Sequence, residues 1–345
     1  MTSRNIKITG KGQVVCVSET LENTALKEGE YLIRNEASLI SSGTELSRVF
    51  GLKKGIVYPV YPGYASIGIV EDTVPSQCNH INGIINKGDR VLYSGAHREL
   101  QIFGVSKASS LGMIVKLEKE FDWLKSVDAC LLHIGLIAMN GILPADVKIG
   151  DTVCVFGLGI VGLLTALLYQ EMGVNVLGID MVENRASHAH QAGLKNVLTA
   201  KSEDQIKAVT GFFGKEADIT VDATGRSEGI INAIKSCGEN GQVLLLGSPR
   251  TDYTCNVTEI FNQLHMKMIT LIGAFNGRYP YYRKEGSRES IERNLASFAA
   301  LLKKGSIEPG RIISHVIKPE AAMKAYDGLY NHPDTYYCVA INWNN

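Results

Sequence analysis

Gly157, Leu158, Gly159, Ile160, Val161 and Gly162 spell GxGxxG between two apolar runs, Val153 to Phe156 and Leu163 to Leu168, and Asp180 closes a third run beyond them. A strand, a glycine turn and a helix N-terminus in that order make a seat for a pyrophosphate. The first glycine allows the tight turn, the second lets the backbone approach the phosphates, and the third lets helix and strand pack closely. Unpaired helix N–H groups and the positive end of the helix dipole then attract the anion. Glycines by themselves say little in a chain that has 35 of them; the flanking patterns make this run specific. A carboxylate at the end of the second strand accepts hydrogen bonds from ribose hydroxyls and repels a 2′-phosphate, so Asp180 predicts NAD in preference to NADP. Arg185, just past that strand, and Arg250 are the residues that would clamp the phosphate of NADP.

The elements that must position these residues can be read around them. Thr152 to Phe156 is the uninterrupted apolar run that a parallel strand needs when both of its faces are covered. Val161 to Met172 is apolar and free of proline, and Gly173 ends it as a helix. Val174 to Ile179, Asn196 to Thr199, Asp218 to Ala223, Gln242 to Gly247 and Met268 to Gly273 supply further strands, with helices over Glu183 to Ala192 and Glu228 to Ser236. This alternation predicts an α/β doubly wound parallel sheet of the Rossmann kind over 134–276. Residues 1–133 read instead as short β segments with turn punctuation, among them Tyr31 to Arg34, Ile67 to Val70 and Arg90 to Tyr93. The segment 277–345, with a helix over Ser290 to Lys304 and strands at Ile312 to Ile317 and Tyr337 to Ile341, is expected to return to that β domain.

Composition excludes several function classes. The 35 basic and 35 acidic residues of the 345-residue chain cancel without long runs of one sign, so neither nucleic acid nor an anionic membrane is an expected partner. The N-terminal residues lack the apolar core of a signal peptide, and Cys154 to Leu168 is too short and too glycine-rich to span a bilayer. Cys16, Cys78, Cys130, Cys154, Cys237, Cys255 and Cys338 are odd in number and widely spaced. That pattern predicts a reduced, cytoplasmic protein with no cysteine-built metal site.

Five landmarks in order resemble the medium-chain dehydrogenase/reductase superfamily from end to end. They are Ser42-Gly43-Thr44-Glu45, the stretch Pro62 to Val70, Gly88-Asp89-Arg90-Val91, the glycine motif with Asp180, and Asp222-Ala223-Thr224-Gly225 followed by Gly241 to Gly247. The resemblance implies a GroES-like β domain and a Rossmann domain with a cleft between them, a small-molecule substrate and a homodimer. It also implies that Thr224, Gly225, Gly247 and Ser248 meet the cofactor, and that Ala274 and Phe275 lie beside the nicotinamide.

Zinc-dependent members of that superfamily hold their metal with a cysteine and a histidine where this chain has Ser42 and Tyr64; His133 stands near the third ligand position. Hydroxyl and phenol donors stay protonated near neutrality and bind Zn²⁺ weakly, so no zinc is expected. Tyr64, His133, Thr44 and Ser42 are then the catalytic candidates. Tyr64 or His133 would act as acid/base and Thr44 would relay through the ribose, or else Tyr64 and Ser42 merely fill the old metal cavity. Glu45 would orient His133 or form a structural ion pair, and His97 is a cleft residue or a satisfied core histidine. Within the superfamily, Ser42 to Glu45 and Gly247-Ser248-Pro249-Arg250 look most like the branch of bacteriochlorophyllide hydroxyethyl dehydrogenase. The expected activity is NAD(H)-dependent, zinc-independent interconversion of a secondary alcohol and a ketone on a small polar, polyol or sugar-like molecule. The alternatives are an NADPH-dependent quinone or enone reductase and a dinucleotide-binding protein without turnover.

Overall fold

The structure, a computed structural model, describes residues 1–21, 25–52, 55–74, 84–104, 113–249, 252–281 and 286–344. The chain divides into two compact units. One comprises Met1–Ile134, Tyr279–Ala300 and Ile312–Asn345, and the other Gly135–Arg278 and Leu301–Arg311.

The first unit opens with β1 (Thr2–Gly10) and β2 (Gln13–Thr20), an antiparallel hairpin that turns at Gly12, whose φ of +72° suits a residue without a Cβ. There follow β3 (Glu30–Ile40), α1 (Thr44–Val49), β4 (Ser66–Val74), β5 (Arg90–Tyr93), β6 (Leu100–Gly104), β7 (Ile114–Lys116), α2 (Ser126–Ala129) and α3 (Leu131–Met139). Tyr31, Ile33, Val70, Val91, Tyr93 and Ile114, from β3, β4, β5 and β7, pack into one buried cluster.

The second unit holds β8 (Thr152–Phe156), α4 (Ile160–Glu171), β9 (Asn175–Asp180), α5 (Glu183–Gln191), β10 (Val197–Thr199), α6 (Gln205–Phe213), β11 (Ala217–Asp222), α7 (Ser227–Ser236), β12 (Cys237–Leu245), α8 (Val257–Met266) and β13 (Thr270–Gly273). Its described strands lie in the order β10-β9-β8-β11-β12-β13 and every pairing is parallel. That order is the doubly wound one, with the switch of direction between β8 and β11. Every residue of β8 is buried, which is why the run carries no polar alternation. Burying Val153, Val155 or Phe156 contributes about 1.5–3 kcal/mol each.

The chain then forms α9 (Ile291–Lys304), α10 (Pro309–Ile312), β14 (His315–Ile317), α11 (Ala322–Asn331) and β15 (Val339–Asn342). Strand β15 pairs antiparallel with β3, Val339 opposite Ile40, and so seats the C-terminal segment in the first unit. The described strands of that sheet run β14-β15-β3-β4-β5-β7, with β6 also on β3. Tyr326, Leu329, Val339, Ile341 and Trp343 share a core with Ile6, Ile8, Ile40, Leu46 and Val49. Among the described residues no helix is long and apolar enough to cross a membrane.

Candidate cofactor seat and donor cluster

In the second unit the residues singled out for dinucleotide binding gather on one edge of the sheet. Gly157 follows β8, Asp180 ends β9, Thr224 and Gly225 follow β11, Gly247 and Ser248 come just after β12, and Ala274 and Phe275 follow β13. Because the strands are parallel and Phe156, Asp222, Leu245 and Gly273 form a chain of register partners, all these positions lie at the carboxyl ends. Open α/β sheets bind ligands there, at the switch point.

Each glycine of the motif has its own steric reason. Gly157 has φ +87°, and a Cβ on it would stand 2.7 Å from Thr224 Cγ2. A Cβ on Gly162 would fall 1.9 Å from the Gly157 carbonyl oxygen, so α4 could not begin so close to the turn. At Gly159 a Cβ would meet nothing within 4 Å, which leaves the backbone open to approach at the start of α4. Leu158 and Ile160 turn their side chains into the core, and Val161 is half-buried.

Asp180 is buried, and its carboxylate is aimed by two backbone donors: Leu158 N–H at 2.7 Å and Val182 N–H at 2.9 Å. Arg185 lies in the first turns of α5, half-buried. The neighbouring loop is organised by Asp222, whose carboxylate accepts from the Thr224 N–H and hydroxyl and from the Gly225 N–H. A Cβ on Gly247 would stand 2.1 Å from Gly225 N, so the turns after β11 and β12 touch. Ala274 is buried and donates its N–H to Leu245 O, while Ser248 and Phe275 are exposed. Arg250 lies outside the described residues.

Two of the donor candidates in the first unit meet. Tyr64 and His133 come together, with ring centroids 5.3 Å apart and planes tilted by 56°. His133 is 8% exposed, its Nδ1 is buried without a hydrogen-bond partner, and burial holds its pKa down to about 4. The imidazole is therefore uncharged at neutral pH. The Tyr64 hydroxyl donates to Ser41 Oγ at 2.6 Å and not to Ser42. Ser42 is half-buried, and Thr44 is exposed at the start of α1.

Glu45 meets His97. His97 Nε2 lies 2.9 Å from Glu45 Oε2 and its Nδ1 lies 2.8 Å from Ser38 Oγ, so this histidine is a satisfied core residue. Tyr326 donates to the same Glu45 oxygen, and burial together with that carboxylate pushes the Tyr326 phenol well above its ordinary range. Ser41 was missed by sequence reasoning. Its signal was the four-residue spacing to Glu45, which lets a glutamate in the first turn of a helix reach back to an N–H ahead of it. Among the described residues no group of three or more His, Cys, Asp and Glu is placed to hold a metal ion.

Comparison with known proteins agrees with this architecture. The zinc-binding dehydrogenase family matches residues 161–292. An uncharacterized zinc-type alcohol dehydrogenase-like protein of Haemophilus influenzae is 22% identical, over 94% of this chain and 96% of its own length. Sorbitol dehydrogenase 1 of Saccharomyces cerevisiae is 27% identical over 53% of this chain and 49% of that protein. The crystal structure of galactitol-1-phosphate dehydrogenase from Escherichia coli superposes with a TM-score of 0.78 at 16% identity, covering 99% of this chain and all of the other, which establishes a shared fold. The chain thus shares the fold of alcohol and polyol dehydrogenases, and a stretch lying mostly in its second unit matches the zinc-binding dehydrogenase family.

Proposed function

We propose that the protein is an NAD(H)-dependent, zinc-independent oxidoreductase that interconverts a secondary alcohol and a ketone on a small polar, polyol-like molecule. The observation that supports this reading is the approach of the Tyr64 ring to the uncharged His133 imidazole, two residues that stand where the resemblance implies zinc ligands in metal-dependent relatives. Sorbitol and galactitol phosphate, the substrates in the names of two similar proteins, support a polyol.

The donor set does not fit Zn²⁺. Of the three positions, only His133 offers a ligand of the usual kind; Ser42 and Tyr64 offer protonated oxygens, and the Tyr64 proton is engaged by Ser41. Hydrogen bonding must then do what Lewis acidity does elsewhere. The nicotinamide, when bound, supplies the hydride acceptor. Gly157 to Gly162 and the α4 N-terminus would hold the pyrophosphate, and Asp180 the adenosine ribose. In oxidation Tyr64 acts as tyrosinate, its own proton already lost to solvent, and its oxygen takes the substrate hydroxyl proton as the hydride leaves. In the reverse direction the phenol donates to the carbonyl oxygen. His133, neutral at pH 7, acts as a hydrogen-bond partner and not as the base, since a group with pKa near 4 holds a proton too weakly.

Two further features belong to this reading. Strand β13, at the end of the described strand order, and helix α8 of the second unit expose Leu271 and Phe261, and an apolar sheet edge supports a homodimer. The described cysteines are all free, and most are buried, which supports a cytoplasmic home.

The deciding experiment is a paired titration of NADH and NADPH on protein assayed for metal, followed by a panel of polyols with NAD⁺. Tight NADH binding, no zinc and turnover of a polyol are expected. Preference for NADPH would sink the role of Asp180, stoichiometric zinc would sink the metal-free mechanism, and failure to turn over any polyol would sink the substrate class.

A further inference from the structure

Tyr64 is held at both ends by residues that converge from distant parts of the first unit. On the backbone side, His97 N–H donates to Pro62 O at 2.7 Å. Gly63, at φ +108°, passes so close that a Cβ on it would stand 2.6 Å from His97 N and 2.9 Å from His97 Cγ. On the side-chain side, the phenol donates to Ser41 Oγ at 2.6 Å.

Ser41 is itself fixed. It sits between β3 and α1, 6% exposed, with its N–H on Glu45 Oε1 at 2.7 Å and its carbonyl accepting from Glu45 N–H at 3.0 Å. The other Glu45 oxygen is taken by His97 and Tyr326. His97 is therefore common to both clamps: it positions the backbone of Tyr64 directly, and through Glu45 and Ser41 it positions the phenol.

We infer that Ser41 is a positioning residue for the Tyr64 phenol, anchored by the buried Glu45–His97 pair. This rests on the reading of Tyr64 as the group that exchanges a proton with substrate. A phenol has one proton to donate. With that proton on Ser41 the phenol is held beside the serine, and the tyrosinate that takes an alcohol's proton accepts a hydrogen bond from the Ser41 hydroxyl in its place; delivery of a proton to a ketone requires the phenol O–H to turn away from Ser41.

The test labels the protein with 3-fluorotyrosine and identifies the Tyr64 ¹⁹F resonance as the one absent from Tyr64→Phe. Ser41→Ala should move that resonance and Ser41→Thr, which keeps a hydroxyl, should leave it near its original position. In parallel, with NAD⁺ and sorbitol or whichever polyol of the panel turns over fastest, Ser41→Ala should lower kcat about tenfold with little change in KM. Ser41→Thr should restore the rate, and Ser41→Ala should cost nothing further in a Tyr64→Phe background. A Tyr64 resonance unmoved by Ser41→Ala overturns the inference. So does a loss in kcat that is the same with or without the Tyr64 hydroxyl, because that loss would be structural. A moved resonance together with full turnover by Tyr64→Phe means the hydrogen bond stands and Tyr64 is not catalytic, which overturns the inference by way of the reading beneath it.

Discussion

His97 Nε2 lies 2.9 Å from Glu45 Oε2, and neither side chain has any exposed surface. A pair so deeply buried persists only when its remaining polar atoms are satisfied. Here they are: Ser41 N–H and the Tyr326 hydroxyl complete Glu45, and Ser38 completes His97. Replacing Glu45 by Ala strands three of these partners at once, and the expected loss is about 3–5 kcal/mol of unfolding free energy. Glu45→Gln, which keeps the shape and one acceptor, should lose less. Denaturant midpoints for the two variants check this, and an Ala variant as stable as the wild type would contradict it.

Tyr64→Phe removes the oxygen proposed to exchange a proton with substrate and keeps the ring against His133, so turnover should fall by roughly 10²-fold or more while NADH binding is unchanged. His133→Ala should lower turnover less, because a neutral hydrogen-bond partner contributes less than an acid/base group. Steady-state kinetics paired with NADH titration separates the two effects. Equal, near-normal rates for both variants would leave substrate positioning as the whole mechanism.

His133 also makes stability depend on pH. Its pKa is about 4 in the folded protein, against 6.5 for the ordinary imidazole expected in the unfolded chain. Between those values the unfolded state binds more protons, so stability falls as pH falls through that window and is flat from this cause above it. The size is about 3 kcal/mol. Melting at pH 7 and pH 4.5 should show a smaller acid loss for His133→Phe than for the wild type; identical losses would show that the imidazole titrates without hindrance.

What the sequence revealed divides along physical lines. The edges of the second unit were legible because a strand covered on both faces must be a continuous apolar run, as in Thr152 to Phe156, and because the Gly157 to Gly162 turn admits no side chains at its contact points. Asp180 was legible by its spacing from those glycines. The identity of the partners in the first unit was not. Glu45, His97 and Tyr326 are far apart in sequence, and only the pairing of β15 with β3 brings the C-terminal segment against them. Periodicity carries no information about such meetings. For the same reason Ser41, whose hydroxyl accepts from Tyr64, was not singled out in place of its neighbour Ser42, since a one-residue step past the end of β3 decides which side chain faces inward.

The glycine turn predicts a binding defect that can be told from unfolding. Gly162→Ala would place a methyl 1.9 Å from the Gly157 carbonyl and force the turn away from α4, so NADH affinity should fall steeply. Gly173→Ala is the control: its φ of +80° makes the substitution strained, yet its surroundings are open and it lies at the other end of α4. Isothermal titration with NADH on both variants is the measurement. Equal affinities in the two would argue against the turn as the pyrophosphate seat.

The last prediction concerns assembly. Strand β13 ends the order of the described strands in the second unit's sheet, so its outer side is open to pairing with another strand, and Leu271 on the strand and Phe261 on α8 are exposed. An apolar edge of this kind invites pairing with an identical edge related by a two-fold axis, which satisfies the backbone groups and covers the side chains together. Analytical ultracentrifugation should therefore give twice the 37.6 kDa chain mass at micromolar concentration. Leu271→Lys combined with Phe261→Asp places charge on the edge and should yield a monomer that still binds NADH, because neither residue lies at the carboxyl ends of β8, β9 and β11. A wild-type monomer at those concentrations, or a double variant that stays dimeric, would move the interface elsewhere.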